Sequence, residues 1–101
     1  MGLTLGGVGN STVIDNIEVV ANTDDGIEFF GGTVNASNLL VWGQGDDGLD
    51  IDQAYSGTID NAVVVLGDVS DHALEIDGPE GSLNGQFELR NITIIGSQVT
   101  E

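Results

Sequence analysis

Gly26-Ile27-Glu28-Phe29 and Gly48-Leu49-Asp50-Ile51 are the stretches on which the fold turns. Each sets a small residue before an apolar–polar–apolar alternation. The same pattern stands at Gly2-Leu3-Thr4-Leu5 and, with alanine first, at Ala73-Leu74-Glu75-Ile76. The four starts are 24, 22 and 25 residues apart. A second register runs through Asp15-Asn16-Ile17, Ser37-Asn38-Leu39, Asp60-Asn61-Ala62 and Arg90-Asn91-Ile92, its asparagines 22, 23 and 30 residues apart. Between the two lies a third alternating segment, in which Ile14, Ala36, Ile59 and Leu89 correspond. Each repeat therefore holds three short strands. Strands this short, separated by Gly, Asn and Asp, cannot bury a face alone and must stack on their counterparts in parallel. The reading is an all-β, right-handed parallel β-helix, a β-solenoid of about four coils with three short strands per coil, forming a single domain over residues 1–101 that a longer parent could contain as a fragment.

Leucine-rich repeats share the period but require a regular Leu consensus that is absent here, and an antiparallel sandwich gives no reason for matching residues at one offset. The four corresponding asparagines add to the case. Stacked side-chain amides hydrogen-bond from coil to coil, and Asn tolerates the left-handed conformation of a corner. An asparagine ladder is expected, with a structural role.

Alternation places Leu3, Ile27, Leu49 and Leu74 inside, with Leu5, Phe29, Ile51 and Ile76 two residues on. The neighbours then point outward. One outward column reads Thr4, Glu28, Asp50, Glu75 and the next Gly6, Phe30, Asp52, Asp77, while the preceding corner supplies Asp24-Asp25, Asp46-Asp47 and Asp71-His72. Adjacent rungs lie about 4.8 Å apart, so like charges in register repel by roughly 1 kcal/mol in water and a few times more near a protein surface. Calcium reverses that sign, because it accepts six to eight oxygen ligands in flexible geometry. The candidate calcium ligands are Asp24, Asp25, Glu28, Asp46, Asp47, Asp50, Asp52, Asp71, Glu75 and Asp77, with Glu80 in the long loop as a further contributor. No EF-hand loop and no repeat-in-toxin nonapeptide accompanies them, and the competing reading is a solvated acidic wall.

Seventeen acidic residues against one basic side chain, Arg90, give a formal net charge of −16. Nucleic acid and anionic membrane surfaces, which demand several Lys or Arg residues, are excluded as expected partners. No apolar run approaches the roughly 20 residues of a spanning helix, so no membrane insertion is expected. There is no cysteine, hence neither a disulfide framework nor a thiolate metal site. Residues 1 to 10 lack the basic start and apolar stretch of a signal peptide.

In the third strand Ile17, Leu39, Ala62 and Ile92 take the inward phase. That turns Leu40, Trp42, Val63 and Val65 outward together with Val20 and Ile95, an apolar stripe of the kind that marks an interface. A parallel solenoid also needs caps, or its end rungs leave backbone edges and core exposed; no amphipathic capping helix is evident. The expected partner is a second copy of the chain, through the Leu40/Trp42/Val63/Val65 stripe or by end-to-end stacking.

No catalytic residue is assigned. A lyase acting on acidic polysaccharide needs a basic group, and Arg90 beside ladder residue Asn91 reads as a corner residue. His72 next to Asp71 reads as a surface side chain or an occasional metal ligand. Carboxylate pairs such as Asp50 with Asp52 suit a glycosidase, but a pair repeated on every coil argues for an extended surface more than for one tuned site. The insertion Gly78-Pro79-Glu80-Gly81-Ser82-Leu83-Asn84-Gly85 reads as a surface excursion.

With these patterns in place the chain resembles the pectin-lyase-like right-handed β-helix superfamily. The stretch Asp24-Asp25-Gly26-Ile27-Glu28-Phe29-Phe30-Gly31-Gly32-Thr33-Val34-Asn35-Ala36 is similar to repeats of large secreted bacterial surface proteins of that fold. The resemblance covers nearly the whole chain and implies extracellular or cell-surface display without implying a reaction. The expectation is a non-enzymatic structural or adhesion-type module, calcium-stabilised and self-associating. The alternative is a carbohydrate-active β-helix enzyme or a carbohydrate-binding fragment.

Overall fold

A computed structural model describes residues 1–79, 81 and 84–97. Eight strands follow one another: β1 (Leu3–Gly6), β2 (Val13–Val20), β3 (Ile27–Phe30), β4 (Asn35–Trp42), β5 (Leu49–Asp52), β6 (Thr58–Val65), β7 (Leu74–Ile76) and β8 (Glu88–Ile95). They form two parallel four-stranded sheets, ordered β1-β3-β5-β7 and β2-β4-β6-β8. Each coil thus contributes one short and one long strand, and four rungs stack over about three turns. The registers are those of the repeats: Leu3 pairs with Ile27, Ile27 with Leu49 and Leu49 with Leu74.

The second and third segments of each coil are joined. β2, β4, β6 and β8 are eight-residue strands bent at the ladder asparagine, and the pairing omits that residue, passing from Asp15–Ser37 to Ile17–Leu39. Asn16, Asn38, Asn61 and Asn91 have φ of 56, 57, 59 and 54°. This is the left-handed region, which Asn tolerates better than other side chains. One such residue redirects the strand and returns it to pairing, so no loop is needed at this corner.

The ladder itself is mixed. Asn61 donates to the Asn38 side chain at 2.7 Å, whereas Asn38 donates to Asp15 at 2.8 Å and Asn91 to Asp60 at 2.9 Å. The aspartate before the asparagine thus accepts at two of the three steps.

Inward side chains fill the space between the sheets. In the two middle rungs Ile27, Phe29, Val41, Leu49, Ile59 and Val64 are fully buried. Gly2, Gly26 and Gly48 let the sheets approach: a Cβ at Gly26 would overlap Val41 and the Gly48 carbonyl, and one at Gly48 would overlap Val64 and the Ala73 carbonyl. In the fourth rung Ala73 replaces glycine, and Ile94 opposite is 48% exposed. Ile76, expected inside, is 51% exposed for a simpler reason: β7 ends its sheet, so no further described strand covers it. Tyr55, which the repeat pattern does not single out, is a core residue. Its ring packs 5.0 Å from Phe29 and its hydroxyl donates to the Val34 carbonyl at 2.6 Å.

Candidate metal centre

The acids stand on the short strands and at the turns beside them. Glu28, Asp50 and Glu75 occupy consecutive places in one register column, and Phe30 pairs with Asp52 in the next. Three sets of carboxylates have ligand oxygens all within 4.8 Å of one another: Asp24, Asp25 and Asp46; Asp25, Glu28 and Asp50; and Asp50, Asp52 and Asp77. Asp25 and Asp50 each belong to two sets, so seven of the ten expected ligands form one connected row. Asp47 and Asp71 join His72 in a separate group. Glu75 belongs to neither and shares a hydrogen bond with Asp47. Glu80 lies outside the described residues.

The two aspartates of each corner are not equivalent. Asp25 and Asp47 are buried, 6% and 2% exposed, and they tie successive coils together. The Asp25 carboxylate accepts from the Asp47 backbone N–H at 3.1 Å. That of Asp47 accepts from the His72 backbone N–H at 3.0 Å and lies 3.0 Å from His72 Nδ1. This second, aspartate ladder escaped the sequence reading, which counted the corner acids only as outward charges. Its signal was the repeated Asp-Asp-Gly at residues 24–26 and 46–48: the second aspartate falls where the chain enters the buried strand.

Proton affinities follow the crowding. Burial, and then the charges of Asp25, Asp52, Glu75 and Glu28, push Asp50 up to about 7. Glu28 is raised by burial and by Asp25, Asp52 and Asp24. Asp46 is raised chiefly by Asp47. Burial also works to raise Asp47, but hydrogen bonds from Glu75 and from the backbone and ring of His72 outweigh it and hold it below the ordinary carboxylate range. The counterpart is Glu75, pushed up to about 7 by its bond to Asp47 and by that residue's charge. His72 is raised by the same aspartate and by Asp71. The two groups differ in kind. The His72 cluster resolves its charge internally through shared protons, whereas the row at Asp50 holds carboxylates alone.

Asp50 is the focus of that row. It is 8% exposed, and its Oδ1 is a buried oxygen without a hydrogen-bond partner among the described residues. A buried acceptor left unpaired costs about 1–3 kcal/mol, and more when charged. The ligand atoms that Asp25, Glu28, Asp52 and Asp77 offer beside it are carboxylate oxygens, which a hard cation such as calcium takes and a thiophilic one does not.

The outward apolar residues stand where alternation put them. Val20, Trp42 and Ile95 are 59%, 54% and 49% exposed, and Leu40, Val63 and Val65 are half-buried beside them.

A kinked two-sheet parallel coil, with an exposed asparagine ladder at one corner and a buried aspartate ladder at another, defines the class as the parallel β-helix. The chain matches the family of the pectate-lyase-like beta helix domain over residues 1–101 and belongs to it. Comparison with curated proteins and with solved structures gave no match.

Proposed function

We propose that the chain is a non-enzymatic structural module, displayed outside the cell, in which calcium bound along the acidic row that runs from Asp24 through Asp50 to Asp77 fastens adjacent coils. The observation that carries this reading is Asp50: a buried carboxylate, unpaired at Oδ1, set among Asp25, Glu28, Asp52 and Asp77. A cation there would convert the repulsion between rungs into a bridge across them. Extracellular display is supported by the resemblance to secreted surface repeats and by a composition that suits a cation-rich medium.

The non-enzymatic part rests on where the basic groups lie. Arg90 is on β8, in the other sheet, and its guanidinium is held by Glu88 at 2.6 and 3.0 Å. His72 is engaged with Asp47. Neither stands over the Asp50 row as a proton-abstracting base would. A second reading, carbohydrate binding, is favoured by a groove of about 220 Å³ along the asparagine ladder, whose lining joins the amides of Asn16, Asn38 and Asn61 to Leu40 and Val63.

Calcium titration by calorimetry tests the first reading. Saturable binding is expected for the wild type and for Asp68→Asn, an exposed acid away from the row, and none for Asp50→Asn. Equal binding by Asp50→Asn would contradict it. Calorimetric titration with neutral and acidic oligosaccharides tests the second, where absence of binding would contradict it, and new reducing ends or unsaturated products on incubation with polysaccharide would overturn the non-enzymatic assignment.

A further inference from the structure

We propose that His72, Asp47 and Asp71 form a site for a divalent transition-metal ion of the zinc type, separate in place and in chemistry from the all-oxygen row; this goes beyond the calcium reading and does not depend on it. A break in the repeat marks the position. The corner that reads Asp24-Asp25-Gly26 and then Asp46-Asp47-Gly48 reads Asp71-His72-Ala73 in the following coil. The one histidine of the chain thus stands where the two preceding corners carry a buried aspartate. The backbone keeps the repeat: the His72 N–H donates to the Asp47 carboxylate as the Asp47 N–H donates to that of Asp25. Only the side chain changes, from a carboxylate to an imidazole. A group common to every coil makes a surface, whereas a group changed in one coil makes a place.

The imidazole is aimed into the corner. Nδ1 lies 3.0 Å from Asp47 Oδ1 and 3.5 Å from Asp71 Oδ2, and the three ligand atoms all lie within 4.8 Å of one another. A tetrahedral ion with bonds of about 2.0–2.1 Å holds its ligand atoms about 3.3 Å apart. The two measured separations from Nδ1 bracket that edge. The donor set also separates the cations: calcium takes six to eight oxygens, whereas one imidazole with two carboxylates suits zinc, nickel or copper. Asp47 is fixed in advance. It is 2% exposed, accepts from the His72 backbone N–H and shares a hydrogen bond with Glu75, the kind of support that orients a ligating carboxylate. The other two ligands face solvent, with the His72 and Asp71 side chains 63% and 61% exposed, so an ion has a path in. On binding it takes the place of the protons the cluster shares, which leave to solvent. Water fills its fourth position.

Proton NMR of the full chain titrated with Zn2+ tests this without any variant, because one histidine gives one set of imidazole signals. Saturable displacement of those signals is expected. Calorimetry with Zn2+ then locates the ion. His72→Gln and Asp71→Asn should each bind at least about tenfold more weakly than the wild type, while Asp50→Asn should bind as the wild type does. His72→Gln keeps the backbone N–H that Asp47 accepts, so its circular dichroism should match the wild type. Co2+ in place of Zn2+ should give the visible absorption of a four-coordinate ion, and His72→Gln should lose it. Calcium titration of the same variants reads the row separately, so either site can fail alone. Imidazole signals that Zn2+ leaves in place, undiminished binding by His72→Gln, or a loss in Asp50→Asn as large as in His72→Gln, which would put the ion on the row, would each overturn the proposal.

Discussion

Asp50 concentrates the physical conflict of this molecule in one side chain. Its folded-state value of about 7 stands above the ordinary 3.8 that an unfolded chain would show. A carboxyl raised on folding holds its proton more tightly in the native state, so its contribution is complete below about pH 4 and is lost as pH rises through 7. Glu75, also near 7, acts in the same direction. In chelator, urea midpoints should therefore fall between pH 5 and pH 8, opposite to the acid lability usual for proteins with paired carboxylates. Asp50→Asn removes the buried charge, and in chelator at pH 8 it should stabilise the fold by about 2 kcal/mol while flattening that pH dependence. A variant less stable than the wild type under those conditions would mean that Asp50 has a partner that a cation is not needed to supply.

At the scale of the strand, the bend at the ladder asparagine is the feature most open to test. Asn38→Ala forces a Cβ-bearing residue without a polar side chain to hold φ near 57° and removes the bonds to Asp15 and from Asn61. A loss of about 2–3 kcal/mol in urea unfolding is expected, combining backbone strain with lost hydrogen bonds. Asn38→Gly keeps the conformation free and should lose measurably less; equal losses would assign the whole effect to the bonds. Gly26→Ala, which drives a methyl group into Val41 and the Gly48 carbonyl, should cost more than about 2 kcal/mol. What the sequence made legible here was periodicity. Ile27, Phe29, Leu49 and Ile51 repeat at one offset and alternate with polar neighbours, and burial follows directly. Asp25 and Asp47 were misjudged because alternation says nothing about a corner, where a side chain can turn along the stack to meet the next coil's backbone. Tyr55 carries no signal in the repeat because it occurs once, while periodicity marks only residues that recur. Ile76 was placed inside by its pattern, yet a pattern does not say which inward residues a further strand covers, and no described strand lies beyond β7.

For the whole molecule, the balance lies between an apolar core that grows with each coil and acidic columns whose repulsion grows with it. A solenoid gains stability from contacts between neighbouring repeats, and each added rung here also adds carboxylates to the same edge. Calcium along the row would remove that penalty, which is why the cation and the coil count are linked in this account. The apolar stripe at Trp42 is a separate surface.

The central claim, that the acidic row is a cation site coupled to folding, is tested most directly by thermal unfolding followed by circular dichroism, in calcium and in excess chelator at matched ionic strength. The account predicts a melting point several degrees higher in calcium, through binding to the folded chain alone, with the increment abolished in Asp50→Asn. Superimposable melts in calcium and chelator would contradict it and leave the row a solvated acidic edge.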